Sequence, residues 1–311
     1  MIFSPTLNNI EIAISQLKSG NLIGLPTETV YGLGGDARNS DVVAKIFALK
    51  GRPSFNPLIS HVCDIEMAMQ YGEFSKTAKL LAEHFWPGAF TIVVQRKANS
   101  EICDLTCAGL ETIALRCPNH EIANQIIKGF GAPIAAPSAN ISGHVSPTSA
   151  QHVENEFGDN LSTIIDGGEC QIGLESTVVA VFENEVTLLR YGAITIEEIE
   201  NVIGGRVQIA NLKDEKSPKS PGMLLKHYSP NAPLFLDCDK AQEGEILIGF
   251  GDMDCQLNLS KTANLQEAAA NLYKMIRQAD AQKPRAIKIA PIPNTGIGAA
   301  INDRLSRAAE K

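Results

Sequence analysis

LIGLPTETVYGLGGDA, residues 22–37, is the stretch on which the fold turns. Its first four residues form a short apolar run, the mark of a buried strand. A helical stripe precedes it: Ile10, Ala13, Ile14 and Leu17 recur on one helix face and stop at Gly20. Helix, buried strand and then a polar loop, PTETVYG, is how an open α/β sheet begins, and in such sheets the loops at strand ends build the ligand site. The glycine run Gly32 to Ala37 matches the loose Gly-x-Gly-x-x-Ala form of a dinucleotide fingerprint. Its context is wrong: PTETVY separates it from the strand, and the acidic residue expected about 20 positions on is missing. The run is read instead as a turn that lets backbone approach a ligand.

The same alternation continues downstream. Residues 90–94, 113–116, 134–136, 163–166, 177–182 and 186–190 are short runs rich in Val, Ile and Thr, read as strands. Helical patterns lie between them at 76–85, 121–128 and 150–157, and Thr195 and Glu198 have capping-box spacing. Residues 1–207 are therefore expected to be one mixed α/β domain. Residues 208–233 are read as a linker, since 211–233 is charged, holds four prolines and has no period. Its tail, SPGMLLKHYSP, carries Met223, His227 and Tyr228, too apolar and aromatic for a spacer, so that part is expected to lie against something. Residues 234–311 read as a smaller α/β unit, with strands at 245–250 and 286–290 and an amphipathic helix through Leu265, Leu272 and Ile276.

Composition narrows the function. A chain of 311 residues with 44% hydrophobic and 20% charged residues is ordinary globular protein of about two domains. No run nears the roughly 18 apolar residues of a membrane span, so no membrane partner is expected, and MIFSPTLNNIEIAIS lacks the basic start of a secretion signal. The formal charge is −8, whereas a protein that coats nucleic acid is usually basic. Any anion must be held by a local cluster of cations, which favours a focused small-ligand site. The seven cysteines and six histidines are scattered, so neither a zinc site nor a disulfide framework is expected, and a reducing cytoplasm is the simple reading. A P-loop is excluded by the absence of any Gly-Lys dipeptide. NTGIGAA, from Asn294, is taken as a fold-building βα turn, since Ile301 occupies the third small-residue position.

Where would the anion bind? LKGRPSFNPLI, residues 49–59, places Lys50 and Arg52 at the end of a helix whose start is assigned to Ser40 or Asp41. Cations there are favoured by the helix's own carbonyls, and on these residues alone that reading and a binding role stand level. The rest of the chain tips the balance. Arg116 ends one strand and Arg190 another, PSANISG (Ser138, Asn140, Ser142) follows a third, and LESTVV puts Ser176 at the start of a fourth. Loops over one sheet can bring Lys50, Arg52, Arg116 and Arg190 together. Four cations with hydroxyl and amide partners suit a polyanion.

LPTETVYGLGGDA, KGRPSFNPL, WPGAFTIV, PSANISG, LESTVV and SPGMLLKHYSP occur in that order. Together they resemble the YrdC-type threonylcarbamoyl-adenylate synthases in their long two-domain form, along the whole chain. The resemblance implies a YrdC-like twisted open mixed sheet with helices, followed by a smaller Rossmann-like α/β domain. It implies a nucleotidyltransferase that condenses L-threonine, bicarbonate or carbon dioxide, and ATP into threonylcarbamoyl-AMP and pyrophosphate. Magnesium would arrive on the ATP phosphates, with no other cofactor and no metal held by the protein. Downstream threonylcarbamoyl-transferase proteins would pass the group to tRNA, which this chain would touch only weakly. Carried over by position, Arg52, Asn56, Lys50, Thr112, Ser138, Asn140, Ser146, Arg190 and Asn231 would serve ATP. Thr29, His61, Arg116, the main chain at Ala136, and Ser176 would serve threonine. His227 and Tyr228 would belong to a lid formed by the linker, although Leu224, Leu225 and Lys226 depart from the Lys-Tyr-Arg of many relatives. The competing class is a non-catalytic double-stranded RNA or tRNA binder.

Overall fold

The computed structural model describes residues 1–210 and 228–310. The chain opens with β1 (Ile2–Phe3), α1 (Leu7–Lys18), β2 (Ile23–Leu25), β3 (Gly32–Asp36), α2 (Ser40–Lys50) and β4 (Ile59–His61). Then come α3 (Ile65–Tyr71), β5 (Gly72–Glu73), α4 (Lys76–Phe85), β6 (Phe90–Arg96), β7 (Thr112–Arg116), α5 (Glu121–Phe130) and β8 (Ile134–Ala135). The first domain finishes with α6 (Ala150–Phe157), β9 (Ile164–Ile165), β10 (Thr177–Phe182), β11 (Glu185–Arg190), α7 (Ile196–Ile203) and β12 (Gln208–Ile209). These strands form one mixed sheet in the order β1-β9-β2-β3-β8-β4-β7-β6-β10-β11-β12, with β5 beside β6.

Helices cover both faces, as the alternation of patterns requires. Ile10, Ala13 and Leu17 of α1 join Ile126, Ile127 and Phe130 of α5 against Ile23, Leu25 and Ile134. On the other face Val42 and Ile46 of α2, Leu81 of α4 and Val153 of α6 pack with Leu33, Ile92 and Leu115. The expected capping box at Thr195 and Glu198 is formed in both directions.

Three sequence expectations are corrected. The glycine run is strand β3, not a turn: Ile23 pairs with Gly34 and Leu25 with Gly32 in antiparallel register, and Gly35 pairs with Ala135 on the other side. Its glycines are there for packing. A Cβ on Gly35 would lie 2.7 Å from Val42 and 2.8 Å from Leu22, so only glycine lets α2 lie this close to the sheet. The cap of α2 is Asn39, whose side chain accepts from the N–H groups of Asp41 and Val42, worth about 1 kcal/mol. And Gln208–Ile209, placed in the linker by sequence, pairs with Thr187 and Leu188 and so belongs to the first sheet. Linker residues 211–227, His227 among them, lie outside the described residues.

The smaller domain holds β13 (Leu234–Phe235), β14 (Glu245–Gly249), β15 (Leu257–Asn258), α8 (Leu265–Asp280), β16 (Ala286–Ile289) and α9 (Ile297–Ala309). Its strands are parallel, in the order β13-β16-β14-β15, in keeping with a Rossmann-like unit. NTGIGAA is the turn that feeds α9, as expected. The core of this domain, including Leu272, Ile276, Ile287, Ile301 and Leu305, continues into Val30, Val145 and Leu174 of the first domain and into Tyr228. The two domains thus share an apolar cluster directly behind the loops that build the site.

Candidate active site

The register of the sheet brings distant residues to one end. β4 runs parallel to β7, so His61 pairs with Arg116, and β8 runs antiparallel to β4, so His61 also faces Ile134. The Ala136 N–H donates to the Ile59 carbonyl at 3.1 Å. The PTETV loop is fixed locally: the Thr27 hydroxyl donates to the Val30 carbonyl and accepts from the N–H groups of Thr29 and Val30. One cavity results, lined by Thr29, His61, Arg116, Ala136 and Ser176 together with Arg52, Ser138, Glu175, Arg190 and Tyr228. All five residues expected around threonine therefore meet in one place.

Arg116 is 4% exposed. Its Nε donates to the Gly88 carbonyl at 3.2 Å and its Nη1 to the Thr29 hydroxyl at 2.9 Å. Its Nη2 lies 2.7 Å from Glu28 Oε1. That last contact is ionic but not aligned as a hydrogen bond, and both buried Glu28 oxygens lack a hydrogen-bond donor. His61 is buried, its Nδ1 has no partner, and burial together with the Arg116 charge lowers its pKa to about 3. It is a neutral imidazole throughout the physiological range. Ser176 shares a 2.7 Å hydrogen bond with Thr91.

Also lining the cavity, Arg52 donates from Nε to the Asn56 carbonyl at 3.3 Å and from Nη2 to the Pro57 carbonyl at 3.1 Å. Burial lowers its pKa to about 10, Tyr228 opposing the shift and Arg190 adding to it, so it stays charged at neutral pH. Arg190 donates from Nε and Nη2 to the Ser176 carbonyl at 3.1 and 2.9 Å, and from Nη2 to the Ser176 hydroxyl at 3.1 Å. Burial lowers the pKa of Arg190 too. Arg52 and Arg190 line the same cavity, and the Arg190 charge weighs against that of Arg52, an electrostatic cost that a bound polyanion would relieve.

The other expected ATP residues fall in different places. Lys50 is 1% exposed and does not line the cavity; its ammonium donates to the carbonyls of Ser138 at 2.6 Å and Asn140 at 2.5 Å. Its own carbonyl accepts from Ser142 at 2.7 Å. It clamps the PSANISG loop, in place of the direct charge expected beside the phosphates. Asn140 braces the same loop, donating to the carbonyls of Ile141 and His144 at 2.8 Å. Asn56 is buried with neither side-chain amide atom partnered, under Arg52. Ser146 donates to Glu175 at 2.6 Å. Thr112 opens β7 four residues before Arg116, about 13 Å away along an extended strand, outside the cavity wall. Asn231 is not brought to the cavity: exposed, it donates from its backbone and side-chain nitrogens to Asp280 at 3.0 and 2.8 Å. Tyr228 does reach the cavity, and its ring stacks on Tyr273 at 5.5 Å between centroids.

Sequence reasoning missed Glu28, Glu175, Tyr273 and Arg304. Glu175 is buried; its Oε1 accepts from Ser146 and its Oε2 from the Tyr273 hydroxyl and Arg304 Nε, both at 2.9 Å. Burial pushes its carboxyl up, but Arg304 and then Arg190 prevail and hold its pKa at about 2. A signal existed: both glutamates stand inside the quoted motifs PTETVYG and LESTVV, where a carboxylate among cations calls for a partner.

Among known proteins, the family model for Sua5, YciO and YrdC, described as "Telomere recombination", matches residues 15–192. A second, described as "Threonylcarbamoyl-AMP synthase, C-terminal domain", matches residues 194–310. A threonylcarbamoyl-AMP synthase of Bacillus subtilis is 40% identical over 96% of this chain and 92% of its own length. One from Pyrococcus abyssi is 40% identical over 96% and 93%. The crystal structure of P. abyssi Sua5 complexed with L-threonine superposes with a TM-score of 0.91 at 36% identity, over 99% of this chain and 97% of that one. E. coli YciO shares the fold of the first domain, with a TM-score of 0.57 over 64% of this chain at 19% identity. With matches of this extent along both domains, the chain belongs to the Sua5/YciO/YrdC family, in the long form that carries the threonylcarbamoyl-AMP synthase C-terminal domain.

Proposed function

We propose that this chain synthesises L-threonylcarbamoyl-AMP from L-threonine, bicarbonate or carbon dioxide, and ATP, as a nucleotidyltransferase whose product serves threonylcarbamoyladenosine formation in tRNA. The observation that carries the proposal is a single cavity lined by Arg116, neutral His61 and Thr29 together with Arg52 and Arg190. Arg116 would hold the threonine carboxylate, with Thr29, Ser176 and the Ala136 main chain fixing the rest of the amino acid. The threonine nitrogen bonds to the carbon of carbon dioxide and loses a proton. A carbamate oxygen then attacks the α-phosphorus of ATP, the bond from that phosphorus to the bridging oxygen breaks, and pyrophosphate leaves. Such a substitution needs positioning and charge neutralisation more than covalent help, and three arginines supply both.

Magnesium enters as the companion of ATP. Among the described residues no cluster of His, Cys, Asp or Glu can hold a metal, and the one carboxylate on the cavity wall, Glu175, has both oxygens engaged. We assign the ion to the triphosphate oxygens, hard ligands of the kind magnesium prefers. Among the described residues no helix is long and apolar enough to cross a membrane, and we place the reaction in the cytoplasm, with downstream transferase proteins as partners. The RNA-binding alternative gains no support from the fold or the relatives. The test is pyrophosphate release from magnesium-ATP with single amino acids, with and without bicarbonate. Release that requires both threonine and bicarbonate is expected. A folded protein that binds ATP and releases none with any amino acid would overturn the proposal.

A further inference from the structure

The smaller domain reaches the cavity wall at Glu175. A carboxylate facing a site for a triphosphate is a liability, because it repels the ligand and competes for the guanidiniums that would hold it. Here it is contained. Of the three donors on Glu175, Tyr273 of α8 and Arg304 of α9 come from the other domain, 98 and 129 residues away in sequence. Arg304 is 1% exposed; it also donates to the Tyr191 carbonyl at 2.7 Å and pairs with Asp303 at 2.6 Å. Its guanidinium carbon lies 5.3 Å from the centroid of the Tyr228 ring, which itself stacks on Tyr273 and forms part of the wall.

We propose that Arg304, seconded by Tyr273, is a positioning residue for the ATP side of the site: it takes most of the Glu175 carboxylate's charge to the smaller domain, weakening that carboxylate's competition with the phosphates for Arg190, and it fixes Tyr228 at the cavity. The inference rests on the proposed ATP site. Without Arg304, the Glu175 carboxylate, on which Arg190 already acts, falls more fully to Arg190. Neutralising Glu175 should then restore much of the lost ATP affinity; a bridge serving stability alone would show its rescue in melting temperature and leave ATP affinity unmoved.

The full chain is compared with Arg304→Met, Glu175→Gln and the double variant. ATP affinity is read by calorimetry, and the KM values for ATP and threonine by pyrophosphate release. Arg304→Met should weaken ATP by about 30-fold while moving the threonine KM less than about threefold, and the double variant should return to within about fivefold of Glu175→Gln alone. Additive losses in the double variant, equal changes in both KM values, or unchanged ATP affinity in Arg304→Met would each overturn the inference. Should Arg304→Met not fold, Tyr273→Phe with and without Glu175→Gln runs the same cycle on a single hydroxyl, with rescue again expected and additivity again fatal. The calorimetric arm reads the inference even if threonine-dependent release fails, so the two proposals fall separately.

Discussion

Two buried arginine–carboxylate pairs flank the cavity, and they are built differently. Arg116 and Glu28 both belong to the first domain, approach to 2.7 Å, and leave both glutamate oxygens without an aligned donor. Arg304 and Glu175 join the two domains at 2.9 Å, and each oxygen of Glu175 is hydrogen-bonded. Burial does not separate them: side-chain exposure is 5% and 5% in the first pair, 1% and 8% in the second. What separates them is how much hydrogen-bonding capacity is left over. A fully satisfied polar network rigidifies its surroundings, while an under-satisfied one marks a place kept ready for something else. The first pair is read as the one that opens to substrate, the second as the one that locks the domains.

The sharpest way to break this contrast is Arg116→Met. It should weaken threonine by about 100-fold or more, as loss of a buried charged partner does. It should also cost about 3–5 kcal/mol of stability by stranding the Glu28 charge. Adding Glu28→Gln should restore most of the stability, read by thermal unfolding, and none of the threonine affinity. Recovery of both together would mean that Arg116 serves Glu28 and not the amino acid.

Acid should find the second pair. Glu175 is held at about 2 in the fold against 4.5 when free. A depressed carboxylate contributes stability above its unfolded pKa and loses it as pH falls through the folded value. The contribution, about 3 kcal/mol, is thus complete above 4.5 and drains away between about 4.5 and 2. His61 acts earlier in the same direction: neutral in the fold down to about 3, it binds a proton near 6.5 once unfolded, so it favours unfolding below that pH. Urea unfolding of the wild type and of Glu175→Gln from pH 7 to pH 3 isolates the Glu175 part. The gap between them should be widest at neutral pH and narrow below 4.5; a constant gap would remove the ion pair as its cause.

The contrast between these pairs was only half legible in the sequence, and the reason is physical. Strand and helix patterns depend on neighbours, so 76–85, 150–157 and 177–182 are observed over the same spans as read. The arginines stood out because they end strands, and strand ends gather over a sheet. Glu28 and Glu175 sat in the same motifs, but their meaning lies in partners 88 and 129 residues on, which no local period encodes. β3 was missed for a related reason: four of its residues are glycine or aspartate, poor strand formers, and the glycines answer to distant neighbours, Gly35 to Val42 and Leu22, Gly34 to Ile134 and Gly32 to Ala136. Nothing in the residues next to Arg304 marks it as a partner of Glu175.

A smaller effect tests how the proposed ATP site is supported. Lys50→Met removes two hydrogen bonds and strands the carbonyls of Ser138 and Asn140, at a cost of about 1–3 kcal/mol. With the loop loosened, the KM for ATP should rise several-fold alongside the fall in melting temperature. A loss of ATP affinity with unchanged stability would put the ammonium on a phosphate after all and return Lys50 to the role that resemblance assigned it.

The smallest effect is expected at Asn231, and it separates position in the sequence from position in the fold. Asn231 stands three residues beyond Tyr228, yet its donors go to Asp280 on an exposed face of the smaller domain. Exposed side-chain contacts of this kind are worth less than about 1 kcal/mol. Asn231→Ala should therefore leave ATP affinity within error and lower the melting temperature slightly, as Asp280→Ala should from the other side. Asn231→Ala removes one of three hydrogen bonds to Asp280 and Asp280→Ala removes all three, so the double variant should be no less stable than Asp280→Ala alone. If Asn231→Ala weakened ATP while Asp280→Ala did not, Asn231 would have to leave Asp280 when the nucleotide binds, and the cavity wall would extend past Tyr228 into the connection between the domains.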